Sequence, residues 1–455
     1  TDVSEIPGVQ NVRTFAVDVF NPDVNGGAAE RALQERLMKS IAAQSLPSGG
    51  GYFPVGGDVF AMVRAFADIF TKIASVNSVF TSASLPVSVN AQGTFLNQVF
   101  MGVFRPDPDA QQRWAGNLKQ FQFKLTGTAP NQSLILADKL GDPAVDETTS
   151  GGFLDNCAAS FWTTPIGTDD NYWENVTGFN SPSTCTVKQT TTVKPYSDWP
   201  DGPIVERGGA GQRLRSLGHA NRNIRTCTTD ACTALESFPN LTQGLANFGV
   251  TANWVKGVNT GDGYYDVASD AVTYRQYGMG ATATRPTVHG AVVHSRPLAV
   301  NYSQLVGPTL VDDVVVYYGA GDGTLRAVNG NKADTDGNEL WAFIDPDHFT
   351  RLDRVRTNKP LIAYPSVSTT VGATPKPKDY FFDGSIGGYQ ERNGDTLTKL
   401  WIYPTMRRGG RGVYAFDVTN KPGTTENPLG LIPITTPAQP RLMWRYNESV
   451  NTAMG

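Results

Sequence analysis

The feature that most constrains this chain is a hairpin motif that occurs twice after Arg285. In the first copy, Leu310-Val-Asp-Asp-Val-Val-Val-Tyr-Tyr318 reads as a strand and Gly319-Ala-Gly-Asp-Gly323 as a turn. Thr324-Leu-Arg-Ala-Val-Asn329 is the return strand and Glu339-Leu-Trp-Ala-Phe-Ile344 a third. The second copy runs Lys399-Leu-Trp-Ile-Tyr-Pro-Thr405, a Gly-rich turn, Gly412-Val-Tyr-Ala-Phe-Asp-Val-Thr419 and Leu442-Met-Trp-Arg-Tyr446. Glycine admits the positive φ that tight turns of this kind require. The copies recur at about ninety residues, as two blades or one blade with insertions, and radial repetition is how β-propellers protect their strand edges. Residues 285–455 suffice for roughly three or four blades of about forty to fifty residues each, so the expected propeller is incomplete.

The composition agrees with a mainly β protein. Hydrophobic residues are 40%, charged residues 18%, and Gly and Pro number 47 and 29, which favours loop-rich sheets over a helical bundle. A net charge of −4 gives no basic footprint for nucleic acid. No run of about 18 apolar residues marks a transmembrane helix.

The first 77 residues have a different character. Val12–Phe20 is apolar enough for a strand buried on both faces. Ala28–Ala43 places Leu33, Leu37 and Ile41 four apart on one helical face. A short strand at Gly49–Val55 precedes a helix that Asp58 can cap, with Val59, Met62, Val63, Phe66, Ile69, Phe70 and Ile73 at helical spacing. Two strand–helix units imply a parallel α/β layer. Two strands are too few for such a sheet, so its remainder is expected upstream of Thr1.

From residue 78 the pattern alternates, with strands expected at Ser78–Val89, Phe95–Arg105 and Leu118–Leu125 and a turn at Trp114-Ala-Gly-Asn117. Residues 126–284 are loop-rich, with Trp162, Trp173 and Trp199 as expected anchors. Four cysteines, Cys157, Cys185, Cys227 and Cys232, suit two disulfides in an oxidising compartment, although four cysteines allow three connectivities. Cys227 with Cys232 would close a tight loop and Cys157 with Cys185 a larger one. Zinc lacks a CxxC pair or a close Cys/His set, and reduced buried thiols are the remaining alternative.

The chain resembles the PilY family of type IV pilus proteins in an ordered series of segments. Gly49–Ser75 followed by Leu85–Leu125, with Gln98-Val-Phe-Met-Gly-Val-Phe-Arg-Pro106, is similar to that family's passage from a von Willebrand A domain into its middle region. Glu206-Arg-Gly-Gly-Ala-Gly and Arg222-Asn-Ile-Arg-Thr are similar to its segment before the propeller. Arg285-Pro-Thr-Val-His-Gly-Ala-Val-Val-His-Ser-Arg-Pro297 is the most specific match, and the two hairpin copies match its propeller repeats. The resemblance implies the end of a von Willebrand A-like domain at 1–77, a β-rich middle region at 78–204, and a pre-propeller segment with quinoprotein-like blades at 205–455, clearest from 285. It further implies an internal fragment of a secreted protein of the pilus tip and cell surface. Such a protein acts in pilus assembly and adhesion, passes the periplasm and outer membrane, and has minor pilins and a host receptor or surface as partners. The adhesion-site loop of that family, Asp-x-Ser-x-Ser, does not occur here. Ala291 stands where the family pattern has an acidic residue.

A calcium loop is the metal expectation. Asp334, Asp336 and Asn338 alternate and bracket Gly337, as hard-cation loops require, but no distant bidentate Glu follows, and a polar hairpin loop is the rival reading. Asn259, Asp262, Asp266 and Asp270, and separately Asp138, Asp142 and Asp146, read as turn sets. His289 and His294 are five apart in an extended segment, which faces them to opposite sides, and read as hydrogen-bonded structural residues. Arg407-Arg408-Gly-Gly-Arg411 is a basic turn that could meet an acidic patch. No catalytic constellation emerges. A quinoprotein-like dehydrogenase, suggested by the Trp-bearing repeat, would call for a vicinal cysteine pair; Cys227 and Cys232 are not vicinal, so no quinone is expected. A structural scaffold at the outer membrane is the third reading.

Overall fold

The computed structural model describes residues 15–19, 27–43, 51–56, 58, 60–66 and 69 of a first compact unit, Thr1–Ser78. In the second, Val79–Gly455, it describes 80–84, 97–128, 130–145, 154–165, 196–227, 235–238, 248–277, 283–306, 309–363, 376–394, 396–421 and 439–447, with residues 173, 187–188, 191–192, 232 and 280.

In the first unit, β1 (Phe15–Asp18) and β2 (Gly51–Pro54) pair in parallel across α1 (Ala28–Ala43). The Tyr52 hydroxyl donates to Asp18 at 2.7 Å, and burial together with that carboxylate pushes the phenol up to about 12. Asp58 caps the next helix by accepting from the Phe60 amide at 2.8 Å. The Leu33, Leu37 and Ile41 stripe points outward, whereas Ala42 is buried. Residues 60–66 likewise bury Ala65 and leave Phe60 and Val63 exposed.

Among its described residues the second unit is mainly β, built from several sheets none of which closes on itself. β3 (Phe80–Ser84), β4 (Val99–Arg105), β5 (Ala115–Thr126) and β6 (Ser133–Ala137) form an antiparallel meander. Two short pairs stand apart, β7 (Val187–Lys188) with β8 (Thr191–Thr192) and β14 (Gln304–Val306) with β15 (Thr309–Val311). Leu235–Ser237 (β10), Ile224–Cys227 (β9), Glu339–Phe343 (β18), Leu325–Asn329 (β17), Val314–Gly319 (β16) and Leu298–Asn301 (β13) form, in that order, a central six-stranded sheet. β9 joins β18 in parallel, and the other pairings are antiparallel. Ile386–Asn393, Thr396–Pro404, Gly412–Asp417 and Arg441–Asn447 form a further four-stranded antiparallel meander. Strand positions expected after Arg285 thus fall where the Gly-punctuated pattern places them.

These three sheets stack because the central one is apolar on both faces. All six residues of β16 are buried, and a strand's alternation sends them two ways. Val315 and Tyr317 enter a core with Trp341 and Phe343 of β18 and with Leu400, Ile402, Tyr414 and Phe416 of the last meander. Val314, Val316 and Tyr318 enter another with Phe100, Leu118, Trp162 and Val292. Phe343 meets Phe416 edge to face at 5.1 Å, a geometry that aligns ring edge with ring face.

The expected turn at Trp114–Asn117 is corrected: β5 begins at Ala115. Asn117 has the composition of a turn residue, but its buried amide donates to the carbonyls of Val205, Arg207 and Gly208 and accepts from the amides of Leu118 and Gly211. Gly116 is a strand glycine for a steric reason, since a Cβ there would lie 2.1 Å from the Ala291 backbone. Trp162, Trp173 and Trp199 are buried as expected of anchors.

Candidate functional site

The site forms where α2 (Gly209–Leu217), α3 (Phe248–Lys256), the hairpin β11 (Asp262–Asp266) and β12 (Ala271–Arg275), and the Arg285 segment meet. Its base is Asp262, 2% exposed. The Trp254 indole donates to its Oδ1 at 2.7 Å and the Tyr277 hydroxyl to its Oδ2 at 2.5 Å, and Thr287 donates to Oδ2 as well. The guanidinium nitrogens of Arg285 and Arg113 lie 3.5 and 3.9 Å away. Burial alone would raise this carboxyl. The charges of Arg113 and Arg285 and the two hydroxyls outweigh it and hold the group below the usual carboxylate range.

Arg285 stacks on Trp254, 3.8 Å from the ring centroid, and burial lowers it to about 10 despite Asp262. Arg113 donates to the carbonyls of Val355, Arg356 and Gly263. Above this base opens a cleft of about 270 Å³. Arg105 on one wall pairs with Glu206, and Arg215 pairs with Asp198 at 2.5 Å. Arg275 stands over the Tyr277 ring at 5.0 Å. Pro106, Pro108, Trp114 and the half-exposed Tyr264 supply apolar surface.

The sequence placed Asp262 in a turn set, and Asp266 and Asp270 do behave that way. Asp266 accepts from the Ala268 amide and the Ser269 hydroxyl, and Asp270 pairs with Lys359. Asp262 is different because its partners come from positions 113, 254, 277, 285 and 287. No local spacing signals that convergence; Arg285, opening the most specific motif, was the single pointer. Asp138 accepts the amides of Leu140, Asp142 and Ala159, and Asp146 lies outside the described residues.

The other expected residues are located elsewhere. Asp334 pairs with Lys139 at 2.8 Å. Asp336 accepts from the Asn329 side chain and the Ala333 amide, each at 2.8 Å. Asn338 accepts from Arg213 at 3.2 Å and donates to the Thr335 carbonyl. Among the described residues no group of three or more His, Cys, Asp or Glu side chains is gathered for a metal ion. Cys227 and Cys232 are joined in a disulfide; Cys157 is disulfide-bonded too, and Cys185 lies outside the described residues. His289 is buried, stacked on Tyr318 and hydrogen-bonded to its hydroxyl and to the Gly290 carbonyl. Burial lowers its imidazole to about 3, which keeps it neutral. His294 meets Asp383 at 2.6 Å. In the basic turn Gly409 packs on the Phe381 backbone, and Arg408 stands over Tyr380.

The fold and the cleft define a mainly β protein with a charged, aromatic-walled cleft. Comparison with curated proteins gives two matches, both named type IV pilus biogenesis factor PilY1 and both from Pseudomonas aeruginosa. The strain UCBPP-PA14 protein is 26% identical over 276 residues, covering 55% of this chain and 20% of that protein. The strain PAO1 protein is 24% identical over 274 residues, covering 56% and 21%. This chain is therefore PilY1-like, and the matched region spans about a fifth of those relatives' length. No family model and no solved structure matches it.

Proposed function

We propose that this chain acts in type IV pilus biogenesis, as a surface-associated, non-catalytic part of the pilus tip that binds minor pilins and a host or abiotic surface. The similarity to the two PilY1 proteins over more than half of the chain carries this reading. The architecture supports a binding role in two ways. The β13-β16-β17-β18 meander and the meander of residues 386–447 stack face to face on aromatic cores, the arrangement of neighbouring propeller blades, and we read them as such. The histidines near the cleft are spent on structural hydrogen bonds, and Asp262 is consumed by five partners. The Cys227–Cys232 bond supports passage through an oxidising compartment such as the periplasm.

The test is deletion of the gene in its own host with complementation. Loss of surface pili and of twitching motility is expected, restored by the intact gene. Normal piliation in the deletion strain would sink the proposal. A quinone absorbance band in the purified protein would overturn the non-catalytic part.

A further inference from the structure

We propose that the cleft above Asp262 is a docking site for an acidic peptide, with Arg275 as the residue that pairs with the incoming carboxylate. The inference rests on which charges of the cleft and its footing are already paired and does not depend on the pilus reading. Five guanidiniums gather there, those of Arg105, Arg113, Arg215, Arg275 and Arg285. Five carboxylates accompany them, Asp109 among them, which accepts from the Tyr264 hydroxyl at 3.3 Å. Glu206 answers Arg105 and Asp198 answers Arg215. Asp262 is shared by Arg113 and Arg285. Asp107 is turned into its own loop, where it accepts from the amides of Asp109 and Gln111.

Arg275 is the guanidinium with no carboxylate of its own. It is half-buried, and among the described residues its side chain makes no hydrogen bond or ion pair and stands over the Tyr277 ring. Its register explains why the hairpin does not neutralise it. Arg275 pairs across β11–β12 with Asp262, but the Asp262 side chain is committed below to Trp254, Tyr277 and Thr287. A guanidinium in a partly dry cleft attracts a carboxylate strongly, and its fork fits one with two parallel bonds.

The walls indicate what carries the carboxylate. Pro106, Pro108, Trp114 and Tyr264 flank the charge with apolar and aromatic surface, and Tyr264 is 47% exposed. About 270 Å³ is at the small end of ligand sites, enough for one acidic side chain and part of an apolar neighbour. A peptide that presents Glu or Asp beside an apolar residue satisfies both features. A free C-terminal carboxylate offers the same chemistry.

The test uses the full 455-residue chain and three fluorescent peptide pools with random flanking positions. The first is blocked at both ends with a central Glu, the second is blocked with a central Gln, and the third has a central Gln and a free C-terminus. Anisotropy should show the Glu pool or the free-terminus pool binding more tightly than the blocked Gln pool, and the better of the two assigns the source of the carboxylate. Arg275→Gln should weaken that binding on the order of tenfold to a hundredfold, and Arg275→Lys should restore part of it. Arg275→Gln should melt with the parent, since its side chain makes one ring contact, and raising the salt should weaken binding in the parent. Equal binding of all three pools, no binding of any, or an Arg275→Gln chain that binds like the parent overturns the proposal.

Discussion

Glu339→Gln tests the joint between the Arg222 segment and the central sheet. Glu339 accepts from Arg222 through two parallel bonds of 2.8 and 2.9 Å and from Arg326 at 2.6 Å; Arg326 also pairs with Asp322. All four residues are buried, the most exposed being Arg222 at 8%. Replacing the carboxylate with an amide keeps the shape, removes the counter-charge and turns one of the two acceptors into a donor, leaving Arg222 with neutral partners such as the carbonyls of Val255 and Lys256. Removing one member of a buried ion network costs about 3–5 kcal/mol. The assay is urea unfolding at fixed m-value, where the loss appears as a lower midpoint. Arg222→Met should couple to it, so that the double variant is destabilised by less than the sum of the two single variants, by about 0.5–3 kcal/mol. A single-variant loss under about 1 kcal/mol, or additivity within about 0.5 kcal/mol, would refute the reasoning. The pH dependence has a definite sign. Burial opposes ionisation, yet Arg326 holds Asp322 at about 2, and Arg222 and Arg326 hold Glu339 below its ordinary value. Both carboxylates therefore contribute stability above the ordinary carboxylate pKa near 4 and lose it as pH falls toward about 2.

Asp262→Asn should cost about 3–5 kcal/mol by leaving Arg285 buried without its counter-charge, read by thermal melting; an unchanged melting temperature would mean that the hub carries no net stability. Gly319→Ala should destabilise by about 1–3 kcal/mol or more, because the new Cβ would sit 1.7 Å from the Phe382 carbonyl oxygen; a parent-like unfolding midpoint contradicts that packing. Added calcium should leave the melting temperature where it was, since the carboxylates of Asp334 and Asp336 already hold Lys139, Asn329 and the Ala333 amide. A rise abolished by Asp336→Ala would instead establish the calcium loop.

Strand positions were legible where turn chemistry and alternation agree. Leu310–Tyr318 read as one strand and resolves into Val314–Gly319 with the separate pair member Thr309–Val311. Helix Ala28–Ala43 was read to the residue, yet which face turns inward was not, because Leu33 and Leu37 form the better apolar stripe and the structure buries Ala42. Asn117 misled for a physical reason: the amide that suits turns also suits a strand position pressed against a loop that needs donors and acceptors. The cleft was illegible because its chemistry is assembled across sequence separation. Arg113 reaches residues near 262 and 355, and Arg222 reaches 339, distances over which periodicity carries no information. The short helix Phe349–Thr357 also escaped the reading, although it closes a core with Trp254 and Ile344.

The parallel seam between β9 and β18 has a consequence for how this chain is cut and made. Ala342 sits beside Ile224 and Phe343 beside Arg225, so the two strands at that edge of the central sheet, β9 and β10, are supplied from far upstream. As the chain is synthesised, that pair emerges first, and the other side of β9 stays unzipped until β18 arrives, the kind of non-local pairing that slows folding. A truncated protein starting at Arg285 would retain every hairpin motif, yet it would show β18 as a bare, adhesive border and strand Glu339 without Arg222. Such a fragment should clump, whereas one starting ahead of Arg222 should stay dispersed.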